Sequence, residues 1–402
     1  ATVVGSQAGR FSSGSNNTFM GYKAGYGSLT SAPYSSGTDN VAMGYEALAN
    51  FTTGYANVAL GYKALSELRT STYSVAIGAH AGDHASGSNN TFVGGQAGFG
   101  GTTSAPFSSG ASNVGIGYYA LRNFTTGYSN TVAGVNAGDA ITSGHENAIF
   151  GQGAGGSLTD GHDNVIIGAS AGTTTTSLGS AVIIGDFAGA SGDITDAADG
   201  VVLIGAGAGR YLTTGANNIA IGYTAMSVHT TGARNIAIGY GAMNDTDAGS
   251  NSLGSYDNIF IGLDSGGGTW GDSDRTRGNI AVGNYTMNQA LNDARYNVAI
   301  GHSSLSATTT ADSNVGVGKD SGKALTTGGS NTSIGKSALA TATTATANVF
   351  IGTGAGEDIQ SGQALASVVA IGFEAFKGGG STTTGANGSI FIGQEAGKAI
   401  TT

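Results

Sequence analysis

A glycine preceded by three apolar residues, as in Asn57-Val58-Ala59-Leu60-Gly61, returns 22 times between Gly5 and Gly393. The commonest spacing is 17 residues, and longer intervals carry three to six inserted ones. Counting each anchor glycine as position 0, position −4 is Asn in 16 repeats and −3 is Val, Ile or Thr in 21. Position −1 is Ile, Val, Met, Leu or Phe in 21 repeats, +3 is Ala in 18, and +4 is either Gly or one of Leu, Met and Phe. Turn sequences such as Thr52-Thr53-Gly54 often precede the Asn.

A short β-branched strand cannot bury itself, but copies stacked edge to edge build a continuous core. Helices are a poor alternative because the apolar run is short, β-branched and bounded by Gly and Asn. The expected fold is all-β: a parallel β-roll or β-helix solenoid of about 22 coils, at ~4.8 Å per coil on the order of 100 Å long. Composition explains what the glycine is for. The chain has 73 glycines but only two prolines among 402 residues, and no strict third-residue glycine, which excludes collagen. Composition hardly changes along the chain, so residues 1–402 read as one continuous array without a separate globular domain.

Strand alternation predicts that −3 and −1 fill the coil interior and that −2 points outward. Position −2 is nonetheless apolar everywhere except Ser333, and includes Phe19, Phe92, Ile149, Phe260 and Phe350. Such a stripe exceeds what a monomer exposes, so the expectation is a covering partner, most simply identical chains around an axis lined by the −2 residues. A longer duplication lies above the coil repeat: residues 15–87 and 88–160 form a pair of 73-residue segments, with Pro33 and Pro106 in equivalent loops. Duplication of that kind suits a spacer whose length varies more than a unique active centre.

Charge removes other classes. With 25 acidic and 15 basic residues, a net charge of −10 and no basic cluster, the chain lacks the electrostatic footprint of nucleic-acid binding. Zero cysteines exclude disulfides and thiolate metal sites. No apolar run approaches the ~18 residues of a membrane span. Both ends break off in repeat phase, predicting that each abuts more fibre, either the same polypeptide or another copy stacked head to tail.

The unit [T/S]-[T/S]-G-x-x-N-[V/I/T]-[A/F]-[I/M]-G-x-x-A-[L/G] resembles the repeats of bacteriophage tail-fibre proteins. It is also similar to the head repeats of YadA-like trimeric autotransporter adhesins, which carry a related NxVAIG core. That resemblance covers nearly the whole chain. It implies a homotrimeric fibre exposed outside the cell or on a virion.

The repeated Asn, for example Asn40, Asn57 and Asn113, reads as an internal ladder, each amide bonding backbone or the Asn one coil away. The +3 alanines read as close-packing positions. His145-Glu146 and His162-Asp163 lie one 17-residue period apart and should stack in adjacent coils. Two imidazoles and two carboxylates there could hold a divalent cation, although solvated surface pairs are the ordinary fate of such residues. His80, Asp83 and His84 form a looser group. Threonine runs such as Thr173 to Thr176 sit in turns and recur irregularly, unlike an ice-binding face. No cofactor motif and no Ser/His/Asp grouping recurs, so catalysis is not expected. Insertions are where recognition should sit. The best of them, Ser265 to Gly278, holds the only Trp, Trp270, beside Asp272, Asp274, Arg275 and Arg277. An exposed Trp there would suit stacking on cell-surface glycans, whereas a buried one would fill a gap between chains. The reading is a structural fibre or filament segment, as in a tail-fibre shaft or adhesin. A polysaccharide-binding or polysaccharide-degrading spike on the same scaffold is the alternative.

Overall fold

The computed structural model describes residues 1–28, 34–101, 108–244, 254–270, 276–362, 364–378, 384–398 and 400. Pro33 and Pro106 lie outside them. The chain divides into two compact units, Ala1–Gly200 and Val201–Thr402. Each is a parallel β-solenoid built on the 17-residue repeat. Among the described residues the first unit carries eleven three-residue strands, from β1 (Thr2–Val4) to β11 (Val182–Ile184), and the second another eleven, from β12 (Val202–Ile204) to β22 (Ile390–Ile392). Within each unit every strand pairs in register with the strand of the next coil: Val41 opposes Val58, which opposes Val75, and Ile219 opposes Ile236, which opposes Ile259.

Backbone hydrogen bonds join each coil to the next at several points. The Val41 N–H donates to the Asn57 carbonyl and the Gly61 N–H to the Met43 carbonyl, each at 2.8 Å. Past the strand, the Leu48 N–H donates to the Ala64 carbonyl at 2.9 Å.

The anchor glycine ends the strand, and no other residue fits there. Gly44 has φ +140°, and a Cβ on it would stand 2.3 Å from the Gly61 carbonyl oxygen of the following coil. The same close approach repeats at nearly every anchor, which is why position 0 is invariant. The two turns after it are left-handed at +2 and +4, even where these are not glycine: Lys63 has φ +53° and Leu65 φ +49°. Holding Leu in that region costs about 1–2 kcal/mol. Full burial of the Leu side chain offsets this with about 1.5–3 kcal/mol, and Leu48, Leu65 and Leu121 are all fully buried.

Asparagine forms the ladder that its repetition predicts. Asn57 donates through both its backbone N–H and its Nδ2 to Asn40 Oδ1, each at 3.0 Å, and Nδ2 also reaches the Ser71 carbonyl at 3.0 Å. In the second unit Asn314 bonds Asn297 in the same way, at 2.9 and 3.1 Å. The +3 alanines, such as Ala47 and Ala242, are buried as expected.

The strands face the opposite way from the expectation. Position −2 is the interior one: Phe19, Ala42, Phe92, Ile149, Ala237, Phe260 and Phe350 are all buried, while −3 and −1 look outward, as in the intermediate, buried, exposed sequence of Thr18, Phe19 and Met20. An axis lined by −2 residues is therefore ruled out. The physical reason is volume. The −2 side chain points at residue +4 of its own coil, so the two share one space. A Cβ added at Gly98 would lie 2.1 Å from the Phe92 ring, at Gly356 2.5 Å from Phe350, and at Gly209 2.6 Å from Leu203. Accordingly, large −2 residues occur with Gly at +4 and small ones with Leu, Met or Phe at +4, in 20 of the 22 repeats. The repeats anchored at Gly78 and Gly318 are small at both positions. There the space takes neighbouring side chains, Leu65 and Phe92 around Gly82 and Leu305 and Leu325 around Gly322.

Candidate functional site

The outward face of each sheet carries the −3 and −1 side chains. Among all 22 repeats neither position holds a charge, and the only polar residues are five threonines at −3. Met20, Ile77, Ile116, Phe150 and Ile300 are each 40–46% exposed on this face. Most −3 residues and many −1 residues are half-buried, so the face is a partly exposed apolar strip that runs from coil to coil. A lone soluble chain seldom shows a contiguous patch above a few hundred Å².

Tyrosine at +1 borders the stripe. Tyr22, Tyr45 and Tyr62 stack ring on ring with centroids 5.2 Å apart, and Tyr223 and Tyr240 repeat the arrangement at 5.2 Å. The polar edge begins at +2, where Glu46 lies between Lys23 (3.6 Å) and Lys63 (3.8 Å). These are half-exposed surface pairs at 3.6–3.8 Å, which contribute little to stability. They mark where the uncharged strip ends.

The histidine pairs stack as their spacing predicts. His145 and His162 are bridge partners with ring centroids 5.3 Å apart, and Tyr128 extends the stack at 4.7 Å from His145. His162 Nδ1 lies 3.1 Å from Asp163 Oδ2, and Glu146 and Asp163 are exposed. Among the described residues no group of three or more His, Asp or Glu is placed to hold a metal ion.

His80 Nδ1 meets Asp83 Oδ2 at 2.7 Å, and Ser66 donates its hydroxyl to the other carboxylate oxygen. Ser66, one coil earlier, is a partner the sequence did not single out. Its hydroxyl addresses the carboxylate and not an imidazole, so the trio lacks the serine–imidazole contact that nucleophilic activation needs.

Turn threonines depart from the expectation of irregular recurrence. Thr125, Thr142 and Thr159 donate their hydroxyls to the carbonyls of Thr142, Thr159 and Thr176, and Thr309 and Thr326 continue the pattern in the second unit. In-register hydroxyls serve here as rungs between coils.

Trp270 is in the core and not on the surface. It is 3% exposed, packs on Phe260 at 5.6 Å and donates Nε1–H to the Gly266 carbonyl at 3.1 Å. It cannot stack on a ligand from there. Asp272, Asp274 and Arg275 lie outside the described residues. Arg277 is described: Nη1 donates to the Tyr256 hydroxyl at 2.9 Å and Nε to the Tyr296 hydroxyl at 3.2 Å. Sequence spacing did not flag the two tyrosines, which come from the neighbouring coils on either side.

Among the described residues no helix is long and apolar enough to cross a membrane. No protein-family model and no curated protein matches the chain.

Proposed function

We propose that the chain is a structural fibre or filament segment of a virion or cell-surface appendage, such as a tail-fibre shaft or adhesin, in which identical copies cover one another's outward sheet faces. The observation that carries this reading is the uncharged −3/−1 stripe. It continues along the strands of each unit, so covering it removes a long apolar strip from water. Its regular coil spacing lets a second copy of the same sheet match it along its length. Closed cyclic symmetry is the usual way for identical chains to bury such a face, and three copies around one axis is the arrangement that the repeat's resemblance to tail-fibre and adhesin repeats favours. The interior is fully occupied by −2, +3 and +4 side chains, so the axis is lined by −3 and −1 residues.

Solution mass tests the reading. Sedimentation equilibrium at micromolar chain concentration should return three times the 39.2 kDa chain mass. A soluble monomer would overturn the assembly, and a dimer would overturn the threefold arrangement. Extracellular placement is tested by immunogold labelling of the native particle or cell, where labelling confined to the cytoplasm would refute it.

A further inference from the structure

We infer that Arg277, Tyr256 and Tyr296 form a lateral binding site for a carboxylated saccharide. The inference does not depend on the fibre reading.

Tyr256, Arg277 and Arg295 occupy the same position of three successive coils and are joined by parallel backbone bridges. The arginines around this ridge differ in how their charge is met. Arg234 makes a two-pronged pair with Asp257, Nε at 2.7 Å and Nη2 at 3.1 Å, and Arg295 makes the same kind of pair with Asp293. Arg277 has no carboxylate in ion-pair reach among the described residues and bonds only to two phenol oxygens. A guanidinium carries five donors. Two are used on the phenols, and the Nη2 end of the fork is left for a ligand.

Those phenols are themselves prepared. Each accepts a hydrogen bond from Arg277, so its own O–H is free to donate outward. Tyr296 also offers a surface. Part of its ring covers Gly278, where a Cβ would lie 2.7 Å from Tyr296 Cδ1, and the Arg277 guanidinium lies 5.8 Å from its centroid, yet the residue is still 56% exposed. Guanidinium fork, two hydroxyl donors and one exposed aromatic ring therefore lie within adjacent coils.

The ligand that matches all of these has a planar anion and an apolar C–H face in one body. A carboxylate accepts from the Nη2 donors that the phenols leave free, and a pyranose ring fits the aromatic face. A bare phosphate or sulfate would use the fork and leave the ring idle. A neutral sugar would use the ring and leave the fork idle. The chain's net charge of −10 opposes long polyanions, so short oligosaccharides are the appropriate probe.

Trigalacturonate titrated against the whole chain by calorimetry should bind saturably, and neutral galactotriose should bind at least tenfold more weakly. Arg277→Gln and Tyr296→Ala should each weaken trigalacturonate binding at least fivefold. Arg69→Gln, on another coil, should leave it unchanged. The positions are on the surface, and unchanged far-ultraviolet circular dichroism verifies the fold of each variant. Binding that survives Arg277→Gln would overturn the site. Equal binding of inorganic sulfate and trigalacturonate, or insensitivity to Tyr296→Ala, would overturn the saccharide assignment.

Discussion

The size rule between positions −2 and +4 makes a demanding prediction at Phe350 and Gly356. Phe350 is fully buried, and a Cβ on Gly356 would stand 2.5 Å from two of its ring carbons and 3.1 Å from Ile359 Cδ1. Phe350→Ala removes the ring from a packed interior and should cost about 3–5 kcal/mol. Gly356→Leu alone forces a side chain into occupied space, about 1–3 kcal/mol or more, and places a non-glycine residue at φ +65°, a further ~1–2 kcal/mol. If the effects were independent the double variant would lose about 5–10 kcal/mol, the sum of those ranges. The combination Phe350→Ala with Gly356→Leu instead recreates the Ala and Leu pair found in the coils of Ala42 with Leu48 and Ala59 with Leu65, where Leu is accepted at φ +51° and +49°. Only the backbone cost and a small volume mismatch then remain, about 1–3 kcal/mol. The assay is hydrogen exchange at the Val349 and Ile351 amides across a denaturant series, which reads the local coil even where repeat arrays unfold in parts. A double variant as unstable as the sum of the singles would refute the claim that the two side chains compete for one volume.

Asn130 donates Nδ2 to the Gly144 carbonyl at 2.8 Å and accepts from Asn147 Nδ2 at 2.9 Å, so Asn130→Ala strands buried partners and should cost about 2–4 kcal/mol. A loss under ~0.5 kcal/mol in denaturant unfolding, within the range of ordinary surface changes, would show that the ladder is ornamental. Ala237→Asp and Ile238→Lys separate interior from interface: the first buries an unpaired charge inside a coil and should unfold it, while the second should yield folded, dissociated chains by sedimentation and circular dichroism. Identical behaviour of the two variants would contradict the facing of the strands. Burial pushes the Asp139 carboxyl up, outweighing backbone N–H donors and the Arg122 charge. A raised carboxyl favours the protonated fold, so its stabilisation is present below the unfolded value and is lost as pH rises through the folded one. Asp139→Asn should therefore raise resistance to denaturant at pH 7 and lose that advantage in acid; an advantage that grows as pH falls would refute the sign.

The amino-acid sequence by itself determined the solenoid, because an apolar triplet, an invariant glycine and a buried asparagine at one period admit no other packing. The Asn ladder and the small +3 corner were legible for the same reason: a residue repeated at one corner meets its own copies there. Which face of the strand turns inward was decided only in three dimensions. Val58, Ala59 and Leu60 are all apolar, so a period of two fits either facing, and the choice falls to the opposing wall of the coil. The covariation of Phe92 with Gly98, and of Ala42 with Leu48, was present in the sequence but acquires meaning only once −2 and +4 are known to face each other. Trp270 followed the same logic, since a polar flank gives no sign that the ring folds back onto Phe260. The Arg277 site was half visible: the arginine stood out beside the tryptophan, but its tyrosines are 21 residues before and 19 after it, and coil stacking alone brings them together.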